Sequence, residues 1–334
     1  MKEFLVQENE AGQRLDKLLL KILNKAPKSF IYKMLRKKNI VLNGKKAIGS
    51  EKLEIDDEIK LFLSDETINK FMGHDDTTDV ELRKDFDLDI IYEDSHILVI
   101  NKPLGLLSQK ADKDDISMVE HVISYMLSNK LITKEQMISF KPSICNRLDR
   151  NTSGILIAGK SLLGLQEMAK LLKDRSLGKY YLTIVKGRIL DKRTIEGYLN
   201  KDDSKNLVSI SNSETPNSAY ICTEYEPIKH SVIKNDNGIK GDYTLLKVKL
   251  ITGRSHQIRG HLASIGHPII GDYKYGEQKT NHYFKSNYGL SHQLLHSYSM
   301  EFSEIGGDLS YLSGKEFVAK PPEIFEDIKK DLFE

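Results

Sequence analysis

Cysteine is nearly missing from this 334-residue chain: Cys145 and Cys222 are the only two. So small a number gives neither a disulfide framework nor a cysteine zinc cluster, and it fits a reducing compartment. No run of eighteen apolar residues occurs, so no membrane-spanning helix is expected. The opening "MKEFLVQENE" has no signal-peptide core, and the expected location is cytoplasmic. Internal repeats and low-complexity tracts are absent too. Two catalytic signatures are also lacking. There is no G-x-S-x-G elbow for a serine nucleophile. Six of the ten histidines lie between His256 and His296, yet none is paired in the H-E-x-x-H spacing of a zinc helix. These histidines read as hydrogen-bonding groups of loops and core, and no metal site is expected. "GKSLLGLQ" (159–166) lacks the spaced upstream glycine of a phosphate loop and reads as a helix start.

What is present is a globular composition, 39% hydrophobic and 29% charged, at a length that suggests two domains. The net charge of +2 hides a marked asymmetry. Residues 1–50 hold twelve Lys/Arg against four Asp/Glu, whereas residues 51–100 hold five against sixteen. A basic block of that size suits a polyanion, and the acidic stretch beside it reads as a boundary.

Apolar spacing predicts a helix over 14–23, with Leu15, Leu18, Leu19 and Ile22 on one face. A second follows Pro27 over 28–39, built on Phe30, Ile31, Met34 and Leu35, with Lys33, Arg36, Lys37 and Lys38 on or near its exposed side. A strand with an Asn-Gly turn (40–47) and another strand (57–63) complete a basic unit over residues 1–62. Residues 63–86 read as a polar linker, and residues 87–330 as the larger domain. There a hairpin is predicted over 88–107 and helices over 116–128, 161–173 and 255–266. Strands are predicted over 155–158, 179–187, 243–253 and 294–302. Residues 201–217 and 229–242 read as polar loops. Strands outnumber helices, so the fold class is α+β with a mixed, mainly antiparallel sheet.

One stretch carries distinctive chemistry. In "NRLDRNTSGILIAGKS" (146–161), Asp149 stands between Arg147 and Arg150, ahead of a polar turn and a buried strand. Neighbouring cations favour a charged carboxylate, and such a carboxylate can attack an electrophilic carbon. A surface ion pair is the plainer reading of the same residues.

With "NKPLGLL" (101–107), "KYYLTIVKG" (179–187), "GRSHQIRGHLA" (253–263), "GHPIIGDYKYG" (266–276) and "LLHSYSMEF" (294–302), this stretch forms an ordered set. The set resembles the RluA/RluC/RluD-type family of RNA pseudouridine synthases over nearly the whole chain. Residues 12–47 resemble the small RNA-binding domain named after ribosomal protein S-four. The resemblance implies a cofactor-free isomerase acting on RNA. Large-subunit ribosomal RNA is the expected substrate, with transfer RNA and a non-catalytic ribosome-assembly role as alternatives. A monomer is expected.

Carried over position by position, the resemblance makes Asp149 the nucleophile. Tyr181 would be the tyrosine on the target base, with Tyr180 as the register alternative. Arg259 would pair with the aspartate, and Arg147 would fill the gap left by a flipped nucleotide. Arg14, Lys33, Arg36, Lys37 and Lys38 would hold RNA. Asn146 stands where many relatives have His, Ser255 where Thr is frequent, and Gly260 replaces a bulkier apolar residue.

Overall fold

Two β-sheets, each with an apolar core of its own, organise the molecule in a computed structural model that describes residues 1–73, 87–202, 204–231 and 241–334. The first unit runs β1 (Lys2–Leu5), α1 (Leu15–Ile22), α2 (Lys28–Arg36), β2 (Ile40–Leu42), β3 (Lys45–Lys46), β4 (Glu58–Leu61) and α3 (Asp65–Phe71). Its antiparallel sheet has the order β1-β4-β2-β3. Helix α1 buries Leu15, Leu18, Leu19 and Ile22 as the spacing predicts, and α2 buries Ile31, Met34 and Leu35. Asn43 and Gly44 both have positive φ, 50° and 70°, which matches the twist of the β2–β3 hairpin.

The polar stretch expected as a linker begins with a helix. Ser64 caps α3 by accepting from the Thr67 backbone N–H, and Asp65 and Glu66 sit favourably in its first turn. Phe71 then packs on Phe30 with ring centroids 4.5 Å apart, which ties α3 to the first unit. Its short apolar face, Ile68 and Phe71, is too sparse to stand out among charges. Residues 74–86, the rest of that stretch, lie outside the described residues.

The second unit runs β5 (Ile90–Glu93), β6 (Ile97–Lys102), α4 (Met118–Ser128), β7 (Ser143–Ile144), β8 (Ser153–Gly159) and α5 (Leu162–Lys173). It continues through β9 (Leu177–Lys186), β10 (Arg193–Asp202), β11 (Leu207–Ser211), β12 (Ala219–His230) and β13 (Tyr243–Leu250). Then follow α6 (Gln257–Ser264), α7 (Gln278–Tyr288), β14 (Leu295–Phe302), β15 (Glu316–Val318) and α8 (Glu323–Phe333). The sheet has the order β11-β10-β12-β13-β9-β14-β8-β6-β5, with β15 on β14 and β7 on β8. Among the described residues β8–β14 is its one parallel pairing, so the molecule is α+β and mainly antiparallel. The loop expected over 201–217 contains β11, and β12 reaches into the one expected from 229; residues 232–240 lie outside the described residues.

Strand β8 is buried along its whole length. Leu156 and Ala158 face one core and Ile155 and Ile157 the other, which is why it reads as a continuous apolar run. Its Gly154 has φ +105°, and a Cβ there would lie 2.1 Å from the Ser297 carbonyl oxygen of β14. Only glycine permits so close a junction.

Among the described residues, three hydrogen bonds join the units through one loop. Asn9 Oδ1 accepts from the Leu162 backbone N–H at the start of α5, at 3.1 Å. Gln136 Nε2 donates to Gln7 Oε1 at 3.2 Å, and Ser139 donates to Glu10.

Candidate active site

Strands β7 and β8 are joined by a loop that carries Asn146 to Thr152, and this loop is held at several points. The Asn146 side chain accepts from the Ile157 backbone N–H at 2.8 Å and donates to the Ile155 carbonyl at 3.2 Å, so it pairs with β8 as a backbone would. Ser108 accepts from the Leu148 N–H and donates to the Leu148 carbonyl, at 2.9 and 2.8 Å. The Lys102 ammonium, at the end of β6, is fully buried. It donates to the carbonyls of Pro103, Leu106 and Arg150 at 2.9, 2.9 and 3.0 Å. Burial pulls the Lys102 pKa down to about 8, against the opposing charge of Asp149. The Asp149 carbonyl closes the turn by accepting from the Thr152 N–H.

This loop sets the Asp149 carboxylate, 28% exposed, at a cavity of about 1000 Å³. The cation that touches it is not Arg147 or Arg150, its neighbours in sequence, whose residues are exposed. It is Arg259 of α6, whose Nη1 donates to Asp149 Oδ2 at 3.0 Å. The guanidinium is itself clamped. Its Nε and Nη2 donate to the two carboxylate oxygens of buried Asp272, at 2.7 and 2.9 Å. That bidentate pairing fixes the fork geometry, and the Tyr275 ring lies 5.1 Å from the guanidinium carbon. Helix α6 approaches β11 closely because residue 260 is glycine. A Cβ there would meet Val208 at 3.0 Å and Ile210 at 3.2 Å, so a residue that weakens the helix serves its packing.

Alternation along β9 separates its two tyrosines. Tyr181 is buried and lines the cavity with Asp149. Burial, with a further contribution from the Asp149 charge, pushes its hydroxyl up to about 12, against a hydrogen bond with Ser297. Tyr180 turns away, donating to Glu301 at 3.0 Å with Lys247 4.4 Å from its ring centroid. Arg147 also lines the cavity, as do Lys179, Arg254 and Lys274, a basic wall suited to phosphates.

Five of the six histidines of 256–296 make hydrogen bonds. His261 pairs with Thr223, His296 bridges Ser153 and the Ala319 carbonyl, and His256 meets the Tyr275 hydroxyl. In the first unit Lys33, Arg36, Lys37 and Lys38 are exposed. Arg14 is partly committed within the unit, because its Nε and Nη2 both donate to buried Asp16. Sequence reasoning assigned no role to Lys102, Asp272, Tyr275 or Ser108. Asp272 and Tyr275 lie within "GDYKYG", but nothing in the spacing joins them to Arg259.

A clamped arginine, a carboxylate and a buried tyrosine share one basic cavity, a lining suited to an anionic ligand. Comparison with known proteins gives the family. The family model described as RNA pseudouridylate synthase matches residues 96–264. An uncharacterized RNA pseudouridine synthase of Mycoplasma genitalium is 32% identical over 305 residues, 91% of this chain and 90% of that one. Ribosomal large subunit pseudouridine synthase C of Buchnera aphidicola subsp. Baizongia pistaciae is 30% identical over 301 residues, covering 89% of this chain and 88% of that one. The solved structure of human RNA Pseudouridylate Synthase Domain Containing 4 superimposes with TM-score 0.54 at 19% identity, over 72% of this chain and 92% of that one, and shares the fold. The chain belongs to the RluA/RluC-type family of RNA pseudouridine synthases, isomerases that act on RNA.

Proposed function

We propose that this synthase modifies large-subunit ribosomal RNA, with Asp149 as its nucleophile and residues 1–62 as an RNA-holding domain like that of ribosomal protein S-four. The observation that carries the nucleophile is the Asp272–Arg259–Asp149 chain, in which a clamped guanidinium presents one N–H to the carboxylate inside the cavity. Near-full-length similarity to proteins named for the large ribosomal subunit supports the substrate.

In this reading the target uridine leaves its stack, at a cost of a few kcal/mol, and Arg147 takes its place. A carboxylate oxygen attacks C1′, and the N1–C1′ bond breaks with its electron pair going to the uracil. The detached base turns against the Tyr181 ring. C5 then bonds to C1′ as the aspartate leaves. The C5 proton is lost and N1 gains one, so the atoms of uridine are conserved. The exposed cations of α2 grip the RNA outside the cavity, and residues 87–330 carry the chemistry.

Asp149→Asn tests the reading, because it keeps shape and removes nucleophilicity. Pseudouridine formation falls to background while target RNA still binds. A melting curve runs alongside, since breaking a buried pair costs about 3–5 kcal/mol. A folded Asp149→Asn enzyme that still isomerises uridine removes Asp149 from the role. Mapping pseudouridines in ribosomal and transfer RNA of cells with and without the protein tests the substrate. Sites lost only from transfer RNA would overturn it.

A further inference from the structure

His256 lies beside the nucleophile and has no part in the chemistry proposed for it. It precedes α6 with φ 53° and ψ 17°, a left-handed conformation that costs a non-glycine residue on the order of 1 kcal/mol. Strain of that kind persists where surrounding contacts fix it. Here the ring is 9% exposed and lines the cavity, with Nε2 3.8 Å from Asp149 Oδ2. Nδ1 lies 2.9 Å from the Tyr275 hydroxyl. That hydroxyl accepts the Val208 backbone N–H at 2.9 Å, so its single proton is left for Nδ1. The imidazole proton is thereby placed on Nε2, the nitrogen facing the carboxylate.

We propose that His256 is a positioning residue for Asp149, locked by Tyr275 as the neutral Nε2–H tautomer so that its N–H and that of Arg259 hold Oδ2 and leave Oδ1 to attack C1′. The inference rests on the reading of Asp149 as nucleophile. Among the described residues, both contacts to the carboxylate fall on Oδ2. As Oδ1 forms its bond, Oδ2 becomes a carbonyl oxygen; Arg259 already donates to it at 3.0 Å, and the His256 N–H faces it from 3.8 Å, with a short approach left to close. A neutral donor suits the place. A second full cation there would stand against Arg259 and Lys274. Burial lowers the His256 pKa, and those two cations lower it further against the opposing charges of Asp149 and Asp272.

The test combines spectroscopy with kinetics on the full chain. Ring ¹⁵N shifts, assigned by loss of the signal in His256→Gln, report the tautomer without reference to catalysis. The expected result is a protonated Nε2 and a bare Nδ1 at neutral pH. Single-turnover rates on target RNA should fall about tenfold in His256→Ala with RNA affinity unchanged. His256→Gln, whose amide N–H reaches the same place, should recover most of the rate. Tyr275→Phe removes the donor to Nδ1, raises the imidazole pKa, and should move the acidic limb of the rate profile to higher pH. A protonated Nδ1, an unimpaired alanine variant, a glutamine variant no better than alanine, or an unmoved acidic limb would each overturn the proposal. If the alanine variant does not fold, the glutamine variant and the ring shifts still decide. Failure of the underlying reading is distinguishable: Asp149→Asn would then remain active, whatever the tautomer of His256.

Discussion

Lys102 holds the Asp149 loop through hydrogen bonds that its sequence position does not announce. Its ammonium is fully buried and spends its three donors on backbone carbonyls, one of them that of Arg150, next to Asp149. Lys102→Met preserves length and leaves those carbonyls unpaired. Each unpaired buried group costs roughly 1–3 kcal/mol, so urea unfolding should show a loss of several kcal/mol. The turnover number should fall as the carboxylate wanders, and a variant with wild-type stability and turnover would refute this role. At this scale the resemblance of local motifs points to Asp149, Tyr181 and Arg259, and the fold brings all three to one cavity. The sequence hides Asp272, which acts only through a guanidinium thirteen residues back; and although chain proximity puts Arg147 and Arg150 beside Asp149, the contact is made by Arg259, the partner the motif resemblance implies.

Helix α2 is the element that presents the basic block. Its apolar stripe of Ile31, Met34 and Leu35 turns inward, and this turns Lys33 and Arg36 outward, with Lys37 and Lys38 exposed just beyond its end. Replacing these four by glutamine should weaken RNA binding across all sequences. It should also reduce the slope of log affinity against log salt by about one unit for each phosphate that is no longer neutralised, measured by titration at several salt concentrations. An unchanged slope would place the RNA elsewhere. Elements with strong periodicity or a buried run, such as α1, α2, β8 and β9, are readable from sequence. The edge strand β11 is not, because its Ser209 and Ser211 alternate with Val208 and Ile210, of which only Val208 is buried. Helix α3 is masked by charge, since only Ile68 and Phe71 tie it to the core.

The whole molecule responds to acid through two buried imidazoles. Burial brings His261 and His296 down to about 4 each, from an ordinary value near 6.5. Between those values the unfolded chain binds protons that the folded chain refuses, so stability rises with pH across the window and is lost as pH falls from 6.5 toward 4. Each histidine contributes on the order of 3 kcal/mol to that loss, and melting temperatures should drop steeply as pH falls from about 6.5 toward 4. Replacing His296 by Gln should flatten the drop; an equal drop in the variant would locate the acid sensitivity elsewhere. The loop of Gln7, Asn9 and Glu10 has a different kind of consequence. By pinning the basic unit to the start of α5 and the 136–139 turn, it fixes a span between the exposed cations of α2 and the cavity. Under the proposed function this makes the protein a caliper, and a uridine would be selected by its distance from an anchored helix as well as by its neighbours. Freeing the jaw with Asn9→Ala and Glu10→Ala should spread pseudouridine to adjacent uridines, read by mapping modified RNA, while the rate at the original site changes little.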